Sequence, residues 1–210
     1  MADESQTTPA HPGRVVERIR ITRQETEAIE RDILVRRHIE RYAIVRQFAY
    51  GRTVDCACGV GYGTHIVAKN ADITKMYGVD SDADAIAHAS REFASDKIEF
   101  VHGDIETLTI PDVDFLISIE TIEHLPDPRT LAAFAQRCNV QEIIVSFPAK
   151  KTTHYNPFHC WDLTVQDTLE VFGDFVMIND FSYTFDTQFV HLARLKRSGA
   201  PPKRFSARRP

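Results

Sequence analysis

Cysteine is scarce in this chain. The four cysteines among 210 residues, at 56, 58, 138 and 160, are too few and too irregular for a disulfide framework, and no CxxC pair exists to suggest a zinc site. Cys56 and Cys58 stand two apart in a strand-like run and read as buried free thiols. Long apolar runs are missing too. No stretch approaches the ~20 residues that a bilayer-spanning helix needs, and the opening MADESQTTPAHPG is polar, without the apolar core of a secretion signal. The expectation is a cytoplasmic protein with no membrane segment.

Basic charge is in deficit, with 25 lysines and arginines against 30 acids and a net charge of −5. The last fifteen residues, KRSGAPPKRFSARRP, hold six of the basic residues and no acid, so the rest of the chain is more acidic than the total suggests. Such a body repels phosphates over most of its surface, which argues against extended nucleic-acid binding and leaves the tail as the one segment suited to it. With 43% hydrophobic content and no internal repeat, the chain reads as one globular domain. Residues 1–13 are expected to be disordered, 14–195 to form the domain behind a helical lead-in, and 196–210 to be a basic, disordered tail. Oligomeric state is not legible.

Glycine is also sparse, yet three of the nine fall at 59, 61 and 63, inside TVDCACGVGYG. Val54 to Cys58 reads as a short buried parallel strand, and the glycines after it form a turn whose backbone can approach a ligand before a helix over about 62–69. The dinucleotide pattern GxGxxG needs a glycine where this chain has Thr64, and the phosphate loop GxxxxGK[ST] has no match. Asp55 within the turn would repel a pyrophosphate but accept hydrogen bonds from an ammonium group or through water. A cationic or zwitterionic ligand is favoured.

VDCACGVGYG resembles motif I of class I S-adenosylmethionine-dependent methyltransferases, roughly [DE]x[GA]xGxG, with Asp55, Ala57, Gly59 and Gly61 filling the pattern. The resemblance extends over about residues 35–195 and implies an α/β, doubly wound, Rossmann-like sheet of seven strands in the order 3-2-1-4-5-7-6, strand 7 antiparallel. It implies S-adenosyl-L-methionine as cofactor and a small-molecule methyl acceptor as partner. A helix ending HIERYAIVRQFAYG would cross the cofactor mouth, with His38, Arg41 and Tyr42 resembling the family's HxxRY-like element near the methionine carboxylate.

The rest of the chain supplies the expected sheet. Lys75–Val79 reads as a second strand closing on Asp80, nineteen residues beyond Gly61, where an acid accepts from both ribose hydroxyls. Ser81 beside it is assigned to the cofactor, while Ser81 or Asp82 can cap a helix over 83–93. After a third strand, 98–102, HGDIETL resembles the family's adenine-binding element: Asp104 would accept from the adenine amino group and Ile105 would present backbone to the ring edge. A fourth strand, 113–119, delivers ETIEHLPDP at its carboxyl end, with Glu120 assigned to the cofactor. Three readings of Glu120, Glu123 and His124 stay open: a general base at His124, a metal cluster, and a hydrogen-bonded structural turn. No metal ligand is assigned.

A helix over 129–137 and a fifth strand, 142–146, precede KKTTHYNPFHCWDLT, which is rich in side chains that bind organic ligands. Its NPFH resembles an element of small-molecule members of the family, and His154, Tyr155, Asn156 and Trp161 are the expected substrate contacts. A helix over 165–172 and strands 175–183 and 189–195, turning at Asp186 and Thr187, complete the fold. The activity expected is O-methylation of a small polar metabolite with His124 or His159 as base. Two alternatives remain: a metal-assisted RNA 3′-end 2′-O-methyltransferase, whose ligand cluster ExxEH partly resembles with His154 or His159 as a later ligand, and a non-catalytic S-adenosylmethionine-binding protein.

Overall fold

The computed structural model describes residues 22–183 and 186–194. The start over 1–13 and the tail over 196–210, both expected to be disordered, and the part of the expected helical lead-in before residue 22 lie outside the described residues. The chain divides into two units, Met1–Val35 and Arg36–Pro210. In the first, the described residues open helix α1 (Arg23–Val45). Thr22 caps it: the Thr22 hydroxyl accepts from Glu25 N at 3.2 Å, and the Glu25 carboxylate accepts from Thr22 N at 2.7 Å.

The second unit is one sheet with the order β3-β2-β1-β4-β5-β7-β6, as expected from the family resemblance. Its strands are β1 (Gly51–Cys56), β2 (Ile73–Asp80), β3 (Ile98–His102), β4 (Phe115–Ile119), β5 (Glu142–Pro148), β6 (Phe175–Tyr183) and β7 (Thr187–Arg194). The first five pair in parallel, and β7 runs antiparallel to both β5 and β6. Helices α2 (Tyr62–Ala68), α3 (Ala83–Phe93), α4 (Arg129–Arg137) and α5 (Val165–Val171) make the connections.

Period-two alternation sorts the strand residues between two cores. Val54, Cys56, Leu116, Ile143 and Val145 join Leu131 and Phe134 of α4 on one face. Phe115, Ile117 and Ile144 join Tyr42, Val45 and Val67 of α1 and α2 on the other. Buried on both faces, the central strands are the continuous apolar runs that the sequence shows. Sheet order reverses between β1 and β4, and the crevice at their carboxyl ends is where such sheets bind ligands.

Several boundaries differ from the sequence reading. The first strand stops at Cys56, because Ala57 turns the chain with a φ of 57°. The fourth begins at Phe115, two residues after Val113, and Asp112 before it has a φ of 54°. Thr187, expected in the hairpin turn, is the first residue of β7. No described helix is long and apolar enough to cross a membrane.

Candidate functional site

The glycine turn joins β1 to α2 and is laced to β2. Cys58 N donates to Val79 O at 3.0 Å, and Gly59 N donates to Asp80 Oδ2 at 2.8 Å. Asp80 Oδ1 accepts from Asp82 N at 2.9 Å, and Gly103 N at the end of β3 donates to Asp80 O at 3.0 Å. Two backbone bonds orient the Asp80 carboxylate, and each oxygen keeps acceptor capacity for a ligand. Asp82, not Ser81, caps α3, accepting from Asp84 N and Ala85 N.

A cleft of about 230 Å³ opens beside this junction. Ala57, Asp80, Ser81, Asp104 and Ile105, all picked from the sequence, line it, with Thr121 and Leu125 on the side of β4. Asp104 Oδ1 accepts from Glu106 N at 2.8 Å, which fixes the carboxylate while its other oxygen has no bond of this kind. Gly59 has a φ of 53°, and a Cβ built there would meet no heavy atom within 4 Å. That open space over a turn is the volume a ligand needs.

Tyr42 and Asp55 lie bonded to each other behind the turn. On β1, Asp55 shares the face of Thr53, opposite Val54 and Cys56, and so points under α1 and α2 rather than into the cleft. It is fully buried, accepting from the Thr64 hydroxyl at 2.7 Å and from the Tyr42 hydroxyl at 3.4 Å. Burial pushes its carboxyl up to about 7, against the pull of those two hydroxyls. The Tyr42 ring covers Gly63, where a Cβ would collide with it. These residues brace the turn from behind. Thr64, the residue that breaks the dinucleotide pattern, is one of the two braces, a role that no local pattern announces.

The end of β4 is strained and polar. Glu120 has a φ of 50°, and its Oε1 accepts from the Ser146 hydroxyl at 2.7 Å. Burial raises its pKa, with Arg41 and Ser146 opposing. Arg41, only 7% exposed, donates to Thr187 Oγ1 at 2.9 Å. A single 3-10 turn follows, Ile122–His124, bounded by the two cleft residues Thr121 and Leu125.

Glu123 in this turn is 1% exposed, and neither carboxylate oxygen has a hydrogen-bond partner among the described residues. Burial, and then the neighbouring Glu120, raise its pKa to about 8. Sequence reasoning weighed Glu123 within ExxEH but did not assign it to the site, since no local pattern announces a buried carboxylate without a donor. Cys160 N donates to Glu123 O at 2.7 Å, Trp161 Nε1 to Leu125 O at 2.9 Å, and His124 Nδ1 pairs with Phe158 O at 2.9 Å. Those three bonds strap the loop onto the turn and bring the His159 ring to 4.6 Å from that of His124, edge to face.

His159 Nδ1 lies 2.5 Å from Thr152 Oγ1, and burial lowers its pKa. The remaining substrate candidates are less tightly drawn in. His154 and Tyr155 are exposed and pack on each other at 4.8 Å, and Asn156 Oδ1 accepts from Phe158 N within the loop. Trp161 lines a second hollow of about 560 Å³, which shares Pro126 with the cleft. Asp127, Asp162, Asp167 and Glu170 line it against one cation, Arg129.

Residues 53–141 match a family described as a methyltransferase domain. No curated protein matches significantly. Among solved structures, the chain is similar to a methyltransferase from Haloferax volcanii in complex with the Trm112 methyltransferase activator, at a TM-score of 0.64 and 15% identity over 75% of this chain and 89% of that one. A SAM-dependent methyltransferase from Aquifex aeolicus is similar at 0.62 and 14% identity, over 75% and 89%. Magnesium protoporphyrin IX methyltransferase from Synechocystis PCC 6803, solved with bound SAH, is similar at 0.61 and 17% identity, over 75% and 83%. At these identities the structures establish the fold, and the family match speaks for the residues between Thr53 and Gln141.

Proposed function

We propose that this chain, a class I S-adenosylmethionine-dependent methyltransferase by its domain and sheet order, methylates an oxygen of a small polar metabolite from a single domain over residues 14–195. The observation that carries the oxygen assignment is the pair of imidazoles, His124 and His159, held edge to face, with His124 on the turn between the cleft residues Thr121 and Leu125. An alcohol or phenol must lose its proton as it is methylated, and imidazole is suited to accept it near neutral pH.

The cleft fits the cofactor. Asp80 has acceptor capacity for both ribose hydroxyls, Asp104 for the adenine amino group, and Gly59 leaves the turn open. S-adenosylmethionine, when bound, supplies an electrophilic methyl group on a sulfonium. The protein's part is alignment and proton removal, and alignment alone contributes ~7 kcal/mol or more in well-oriented reactions. Phe158 O can only accept, so His124 Nδ1 carries the proton and Nε2 keeps a lone pair for the proton of the acceptor hydroxyl.

The lining of the second hollow supports a neutral or cationic polar acceptor and disfavours phosphate. It therefore weighs against RNA as acceptor. His124→Ala and His159→Ala, compared in single-turnover transfer to candidate alcohols and phenols, are expected to separate the base from its neighbour. One variant loses roughly 10²- to 10⁴-fold in rate while affinity for S-adenosylhomocysteine is kept. If neither changes the rate, the base assignment is wrong.

A further inference from the structure

We infer that Arg137 is a positioning residue for adenine recognition, orienting the Asp104 carboxylate through the peptide bond between Ile105 and Glu106. The inference deepens the reading above and rests on it for Asp104 as the adenine acceptor. Arg137 stands exposed in the last turn of α4 and donates from Nη2 to Ile105 O and from Nε to Leu108 O, the latter at 3.3 Å. Its charge is spent on backbone. Among the described residues no carboxylate forms an ion pair with it.

Two of the hydrogen bonds share one peptide unit. Ile105 O and Glu106 N both belong to it, and Glu106 N donates to Asp104 Oδ1 at 2.8 Å. A trans peptide is planar and points its carbonyl and its N–H in opposite directions, and no cis peptide occurs among the described residues. The unit therefore links guanidinium to carboxylate, and turning it weakens both bonds. A cation on the carbonyl also polarises the amide and strengthens the bond that its N–H gives. One oxygen of Asp104 is held in this way, which sets the direction of the other in the cleft that Asp104 and Ile105 line.

The same helix fixes the rest of the segment. Asp104 O accepts from Leu108 N at 2.8 Å, Ile110 N donates to Cys138 Sγ at 3.3 Å, and Val113 N donates to Cys138 O at 3.1 Å. Leu131, Phe134 and Ala135 bury α4 in the core, and Thr130 near its start lines the cofactor cleft. One rigid element thus runs from the wall of the cleft to the loop that would read the base. A cation that served only the carboxyl end of its own helix would not distinguish one base from another.

The test titrates S-adenosylhomocysteine and S-inosylhomocysteine into the full chain by calorimetry. The second ligand carries a carbonyl where adenine has its amino group. The wild type is expected to prefer the adenine ligand, since a carboxylate accepts from an amino group and repels a carbonyl oxygen. Asp104→Ala should abolish that preference. Arg137→Ala should lower it by at least about tenfold, and Arg137→Lys, which keeps a cationic donor, should lower it less. Position 137 is exposed and alanine is the best helix former, so the variant keeps its fold, which cooperative unfolding checks. A preference kept in Arg137→Ala but lost in Asp104→Ala would overturn the inference alone, and so would an equal loss of affinity for both ligands in Arg137→Ala. A preference that survives Asp104→Ala would overturn the adenine reading of Asp104, and the inference with it.

Discussion

Gly61→Ala is expected to destabilise the fold by about 3 kcal/mol and to remove measurable S-adenosylhomocysteine binding. Gly61 has a φ of 87°, a region that costs a residue with a Cβ roughly 1–2 kcal/mol. The added carbon would lie 2.7 Å from Ala89 Cβ and 2.8 Å from Phe100 Cε1, and overpacking of this kind costs about 1–3 kcal/mol more. Neither neighbour can yield easily, because Ala89 is buried on α3 and Phe100 also closes over Gly78. The turn must therefore shift, and it carries Gly59 and the bond to Asp80 with it.

Gly59→Ala is the informative contrast. Its Cβ would meet nothing within 4 Å, so only the positive φ costs stability, about 1–2 kcal/mol, while the carbon enters the space proposed for the cofactor. Denaturant unfolding and calorimetry on both variants should thus show loss of binding in each and a larger stability loss in Gly61→Ala. Normal cofactor affinity in Gly59→Ala would mean that the ligand does not lie over this turn.

The second large effect is on the pH dependence of stability. Burial disfavours the charged form of Asp55 and pushes its carboxyl up from the ordinary 3.8 to about 7. The folded state therefore holds this proton more tightly than the unfolded state. The stability is fully present below about pH 4 and is lost as pH rises through about 7. Between pH 5 and 8 this one group removes about 3 kcal/mol from the wild type. Asp55→Asn keeps an acceptor for the Thr64 hydroxyl and cannot ionise, so it should remove that share of the slope and exceed the wild type in stability at pH 8. Glu123 is shifted in the same direction, so the wild-type slope stays steep from both groups, and the difference between wild type and Asp55→Asn isolates Asp55. Urea unfolding at both pH values decides the matter: parallel slopes in the two proteins would show that Asp55 is not a buried carboxyl with a raised pKa.

Much of the sheet was legible because its signals are local. The acids closing β2 and β3, the helices 83–93 and 129–137 and the strands 98–102 and 175–183 follow from apolar runs bounded by turn and capping residues. The end of β1 was misplaced because Ala57 adopts a positive φ that its side chain does not advertise. Asp55 was expected at the ligand, and the structure places it on the face of Thr53 with the Thr64 and Tyr42 hydroxyls bonded to it, contacts that no local pattern announces. Glu123 was less accessible to such reasoning. Its side chain is buried without a donor on a 3-10 turn that residues 158–161 bond to, a separation over which no periodicity runs.

Calorimetric titration of S-adenosylhomocysteine into the full chain and into Asp80→Ala tests the cofactor site most directly. Asp80 joins the glycine turn to β2 and is the proposed ribose acceptor, and hydrogen bonds to a charged group contribute about 1.5–3 kcal/mol each. A single saturable site is expected in the wild type, with affinity reduced at least ~100-fold in a variant that still unfolds cooperatively. No binding heat in the wild type, or equal affinity in the two proteins, would contradict a cofactor held at the ends of β1, β2 and β3.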